Sequence, residues 1–72
     1  MPLEVRLSEP PLLDELIGTL LQHGCVAQRS GASSCRVVHV HAAHAEEAEI
    51  ELGLFMRAWL LAYPGVSAVV KG

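Results

Sequence analysis

The fold of this chain is predicted from its middle, residues 25–41, which read CVAQRSGASSCRVVHVH. Residues 25–29 are typical of a short strand, and residues 35–41 are rich in the β-branched side chains that favour strands. Between them, residues 30–34 consist of Ser, Gly and Ala, a composition typical of a hairpin loop. The middle of the chain is therefore predicted to be a β-hairpin.

The register of this hairpin follows from the length of its loop. If Arg29 pairs with Cys35 across five residues, Cys25 lies opposite His39 at the far end of the hairpin. The two cysteines are then well separated along the hairpin, so we expect no disulfide between them.

Working outward, the same kind of pattern predicts one strand and one helix on each side of the hairpin. Residues 3–7 alternate apolar and charged side chains, as a half-buried strand does. Leucines at helical spacing begin at Leu12, and Gly24 is suited to end that helix. After the hairpin, a second helix is predicted over about 45–62 and a last strand over 66–71.

The predicted order is strand, helix, strand, strand, helix, strand. This order indicates an α+β, ferredoxin-like βαββαβ sandwich, with a four-stranded antiparallel-type sheet and two helices on one face. The expected strand order is 4-1-3-2, and residues 1–72 form one domain. In its order of elements the chain resembles ACT-type regulatory domains and heavy-metal-associated domains. It lacks the paired-cysteine motif of the latter, and no functional residue follows from the resemblance.

Composition excludes several classes of function. The 72 residues are 51% hydrophobic, with five Lys and Arg scattered along the chain and a formal net charge of −3. Nucleic-acid binding requires clustered Lys and Arg side chains, so we expect no nucleic-acid partner. No apolar run reaches the length of a membrane span, and the first residues do not resemble a signal peptide. The sequence therefore favours a cytoplasmic protein with reduced thiols and no membrane association.

The face of the sheet without helices is the first candidate binding surface. Strand alternation is taken to place Val38 and Val40 beneath the helices, as well as Val26 of the preceding strand. Cys25 and Val37 are then expected on the uncovered face. The predicted ligand or partner face consists of Arg6, Cys35, His39 and His41.

A second hypothesis is a metal site. Imidazole and thiolate are the usual zinc ligands, and Cys25, His39, His41 and His44 supply four of them, with Glu47 as an alternative to His44. This hypothesis requires a divalent transition metal (zinc, copper or nickel) as cofactor. The simpler interpretation is that His39 and His41 line a partner interface or are solvated, and that His44 caps the second helix.

The second helix presents an apolar ridge on the side away from the sheet. Ile50, Leu54 and Leu61 fall there, opposite the stripe that packs on the sheet. Because a domain this small gains from association, these three residues are the predicted interface.

Three functions remain open. The first is a small cytoplasmic binding or interaction module that acts as a homodimer or as a subunit of a larger assembly. The second is a metal-binding protein. The third is a thiol-dependent enzyme that uses Cys25 or Cys35 near a histidine. The sequence identifies no catalytic residue beyond these thiols, so an enzyme is the less favoured class.

Overall fold

The structure is a computed structural model, which describes residues 3–39 and 43–71 and includes His39 as part of its strand backbone. Its elements, in chain order, are strand β1 (Leu3–Leu7), a 3-10 turn (Pro10–Leu12), helix α1 (Leu13–Gln22), strands β2 (Cys25–Arg29) and β3 (Ser34–His39), helix α2 (Ala45–Leu60) and strand β4 (Ala68–Lys71). The predicted elements are thus present. The strand predicted over 35–41 begins one residue earlier, and its last two predicted residues lie outside the described part.

The four strands form one antiparallel sheet in the order β2-β3-β1-β4. Read from the other edge, this is the order 4-1-3-2 that the element order predicts. Both helices pack on one side of the sheet, where leucines of α1 and α2 share a core with alternate residues of the strands. The chain therefore has an α+β arrangement consistent with a two-layer sandwich.

Local chemistry explains the end of α1 and the start of α2. Gly24 has φ 81°, a left-handed conformation that favours glycine, and it ends α1 as predicted. His44 is the N-cap of α2, and its Nδ1 accepts a hydrogen bond from the Glu47 N–H at 3.3 Å. The Glu47 carboxylate accepts in turn from the Ala43 N–H at 3.2 Å. The capping interpretation of His44 is confirmed.

The hairpin register is confirmed. Arg29 pairs with Cys35 and Cys25 pairs with His39, as the loop length predicts. Both cysteines are free. In the next ladder, Val5 of β1 lies opposite Cys35 and Leu3 lies opposite Val37.

The predicted orientation of β3 is wrong. Cys35 and Val37 are buried beneath the helices, 0% and 1% exposed, whereas Val38 is 42% exposed on the other side. The reason is the pairing with β1: residues directly opposite each other share a face, so Leu3 and Val5, both in the core, bring their partners into it. Cys35 therefore does not belong to the uncovered face.

The same error extends to β2 because the register links the two strands. Cys25 is buried in the core and Val26 is 53% exposed, the reverse of the prediction. Free cysteine behaves as a small hydrophobic residue and is among the most often buried types, which agrees with its position here.

No helix within residues 3–39 and 43–71 combines the length and the apolar character needed to cross a bilayer.

Candidate interaction surface

Within residues 3–39 and 43–71, both helices pack on one side of the sheet, and we call the opposite side the open sheet face. Alternation along each strand places every second residue there, and most of these are exposed. The open sheet face consists of Glu4 and Arg6 of β1, Val26 and Gln28 of β2, Arg36 and Val38 of β3, and Val69 and Lys71 of β4. It combines three exposed valines with three cationic side chains.

The register sets the order of these charges across the sheet. Glu4 pairs with Arg36 on one side and with Lys71 on the other, while Arg6 pairs with Val69. Glu4, Arg6, Val69 and Lys71 together line a depression of about 80 Å³. Three cations against one carboxylate give this face a net positive charge.

The helical layer has the opposite charge. Its carboxylates are Asp14 and Glu15 of α1 and Glu46, Glu47, Glu49 and Glu51 of α2. Of the two bases on this side, Arg29 forms an ion pair with Asp14, and Arg57 lies in α2. The protein is acidic as a whole, yet the fold brings three of its five bases to one face. Such a separation of charge orients partners that carry charge of one sign.

The outer side of α2 is the second exposed surface, as predicted. Ile50 and Leu54 are each 58% exposed, and Leu61, just past the end of the helix, is 82% exposed. A shallow groove of about 510 Å³ runs along this side, lined by Glu46, Glu49, Ile50, Gly53, Leu54 and Arg57. We call these six residues the α2 outer face.

A cavity of about 370 Å³ lies where the start of β2 meets the middle of α2. Its apolar walls consist of Cys25, Leu52, Leu54 and Phe55, and its polar groups belong to His23 and Glu51. The His23 ring packs edge-on against Phe55, with ring centroids 5.1 Å apart.

Burial controls the chemistry of both thiols. It raises the pKa of Cys25 above its ordinary value near 9.0. Burial also raises the pKa of Cys35; the nearby Arg29 lowers it and Glu4 raises it, both as smaller effects. A raised pKa keeps a thiol protonated at neutral pH, which is the reverse of an activated nucleophile.

Both cysteines are therefore expected to react slowly with a thiol reagent such as Ellman's reagent in the folded protein and quickly in urea. Cys25 lines the cavity and Cys35 is fully buried, so Cys25 should react first. The rates of absorbance change for Cys25→Ser and Cys35→Ser variants assign the two steps. Rapid reaction of either thiol in the native protein at neutral pH would contradict this description.

The raised pKa values also predict how stability depends on pH. Above about pH 9 the unfolded chain releases thiol protons that the folded chain retains, so the free energy of unfolding should fall as pH rises.

The structure does not bring the four predicted metal ligands together within the residues that it describes. Cys25 is in the core, and His44 already accepts a hydrogen bond as the helix cap. His41 and the side chain of His39 lie outside the described residues. Among the residues that are described, no three His, Cys, Asp or Glu side chains are grouped so that they could hold a metal ion.

Of the residues predicted for the ligand face, Arg6 is exposed on the open sheet face, whereas Cys35 is buried in the core. Sequence reasoning missed Arg36. The sequence did contain a signal for it. Strand alternation puts Arg36 on the same face of β3 as Val38. Because an unpaired charge is costly to bury, this face favours solvent over the core.

Comparison of the chain with protein-family models, with curated proteins and with solved structures finds no match.

Proposed function

We propose that this chain is a binding or interaction module of the cytoplasm that acts as a homodimer or as a subunit of a larger assembly. Its open sheet face is the binding surface, and its partner is a protein segment with acidic and apolar side chains. The observation that carries the proposal is the separation of charge between the two faces of the molecule.

We assign the fold as ferredoxin-like. The order of elements and the strand order β2-β3-β1-β4 support this assignment, as does the packing of α1 and α2 on one side of the sheet. In the part of the chain that the structure describes, no helix covers the second side of the sheet, which supports this side as a binding surface.

The chemistry of the open sheet face defines the partner. Val26, Val38 and Val69 are each between 42% and 53% exposed, which provides apolar contact area across the sheet. Arg6, Arg36 and Lys71 lie among them and would attract carboxylates. Pairing of two open sheet faces brings like charges together, which argues against this surface as a symmetric dimer contact.

Titration of the isotope-labelled protein with a glutamate-rich peptide containing leucines tests the proposal. We expect NMR amide shifts confined to the four strands, and weaker binding as salt rises, because exposed charges are screened. A lysine-rich peptide of the same length is the peptide control and is expected to cause no shifts at this face. Single-stranded oligothymidylate is the third probe: if it binds more tightly than the acidic peptide, the partner class is wrong.

Matched charge variants locate the binding surface. Arg6→Gln with Arg36→Gln removes two cations from the open sheet face and is expected to weaken peptide binding about tenfold. Arg29→Gln with Gln22→Glu makes the same change in net charge outside this face and should have little effect. Equal losses from both pairs would mean that total charge, and not the open sheet face, governs binding.

A further inference from the structure

We propose that the α2 outer face binds the same face of a second copy, with the two helices antiparallel and the two-fold axis near Leu52 and Gly53. This inference rests on the proposed homodimer and names its contact surface. It follows from the order of apolar and charged residues along one side of α2.

The charges on this face are arranged for a second copy. Glu46 and Glu49 lie toward the start of α2 and Arg57 toward its end. Arg57 has no carboxylate one turn away in its own helix, since positions 53, 54, 60 and 61 are Gly, Leu, Leu and Leu. Within residues 3–39 and 43–71, Arg57 is in no ion pair. Its charge is thus available to a partner.

An antiparallel two-fold arrangement satisfies these charges twice. With the axis near Leu52 and Gly53, Arg57 of each copy faces the segment of the other that contains Glu46 and Glu49. A parallel arrangement would place the carboxylates of both copies side by side and leave both arginines without partners. Charge complementarity therefore selects the antiparallel orientation.

The apolar residues follow the same symmetry. Ile50 and Leu54 lie on either side of the axis, so Ile50 of each copy faces Leu54 of the other copy. Gly53 forms a notch between them: a Cβ placed there meets no atom within 4 Å, so a partner side chain has room to enter. Leu61, past the helix end, extends the apolar area toward the start of the partner helix.

The area available limits the strength of this dimer. A standard interface buries about 800 Å² on each partner, and the whole chain exposes 4503 Å². One pair of helices covers less than the standard area, so we expect a dissociation constant in the micromolar range. Because the ionic contacts are at the edge of the contact, salt should weaken association.

Light scattering and sedimentation at concentrations up to hundreds of micromolar test the inference. The wild type should reach the mass of two chains. Arg57→Glu places like charges opposite each other twice per dimer, so the dissociation constant of the dimer should increase about tenfold or more. The triple variant Glu46→Arg, Glu49→Arg and Arg57→Glu reverses every charge of the contact and should restore the dimer. Circular dichroism checks that each variant is folded.

The outcomes separate this inference from the proposal on which it rests. A wild-type dimer that Arg57→Glu leaves unchanged, or that Val38→Glu on the open sheet face disrupts, overturns the α2 contact while the homodimer stands. A wild-type monomer at hundreds of micromolar overturns both. Gly53→Glu fills the notch without a clash in the monomer, and it should dissociate the dimer while helix content is unchanged; an intact dimer in this variant also contradicts the inference.

Discussion

Replacing Val37 with aspartate is expected to unfold the protein, whereas the same replacement at Val38 is expected to leave it folded. The two residues are neighbours of the same type in β3, but Val37 is 1% exposed beneath the helices and Val38 is 42% exposed on the open sheet face. The pair therefore measures the orientation of β3 directly.

The size of the effect at Val37 follows from two costs. The variant loses the burial of a valine, which contributes about 1.5 to 3 kcal/mol. It also requires a carboxylate to enter the apolar core without a partner, which costs several kcal/mol more. A chain of this length has a total stability of about 4 to 10 kcal/mol. The combined cost is comparable with the whole free energy of unfolding.

Urea unfolding followed by circular dichroism provides the measurement. Val38→Asp should change the free energy of unfolding by less than about 1 kcal/mol, since the side chain remains in water. If Val38→Asp unfolds the chain and Val37→Asp does not, β3 faces the other way. The core would then contain Arg36, and the open sheet face described above would not exist.

The second large effect is expected in α1. Leu20 is fully buried in the core, and Leu21 beside it is 54% exposed. Leu20→Ala removes buried methyl groups and leaves a cavity, so it should cost about 2 to 5 kcal/mol. In a domain of this size each kcal/mol lowers the melting temperature by about 4 to 8 °C. Leu20→Ala should therefore melt well below the wild type.

Leu21→Ala is the matched control, with an expected cost under about 1 kcal/mol. Both helix propensity and the atoms removed are the same in the two variants, so the difference between them reports burial alone. Thermal melts of the two variants at equal concentration decide the matter. Similar melting temperatures would show that α1 does not pack on the sheet through the side that contains Leu20.

The candidate site could be predicted only in part. The outer ridge of α2 and the exposure of Arg6 follow from periodicity within single elements. The metal hypothesis depended on Cys25 facing out beside His39, and Cys25 instead lies in the core. Arg36 was missed because the predicted orientation of β3 turned the side that contains Val38 toward the helices, whereas Arg36 lies opposite Glu4 on the open sheet face.

The amino-acid sequence alone determined the order of the elements, the turn at Gly24, the cap at His44 and the hairpin register. Each of these depends on residues close together in the chain, where backbone geometry and side-chain spacing act locally. Tertiary structure alone decided which side of β3 is buried. Val37 and Val38 are equally suited to a core by their own chemistry, and pairing with β1 resolved the choice by placing Cys35 and Val37 beside Val5 and Leu3. A strand has two faces, and only its neighbours determine which of them the helices cover.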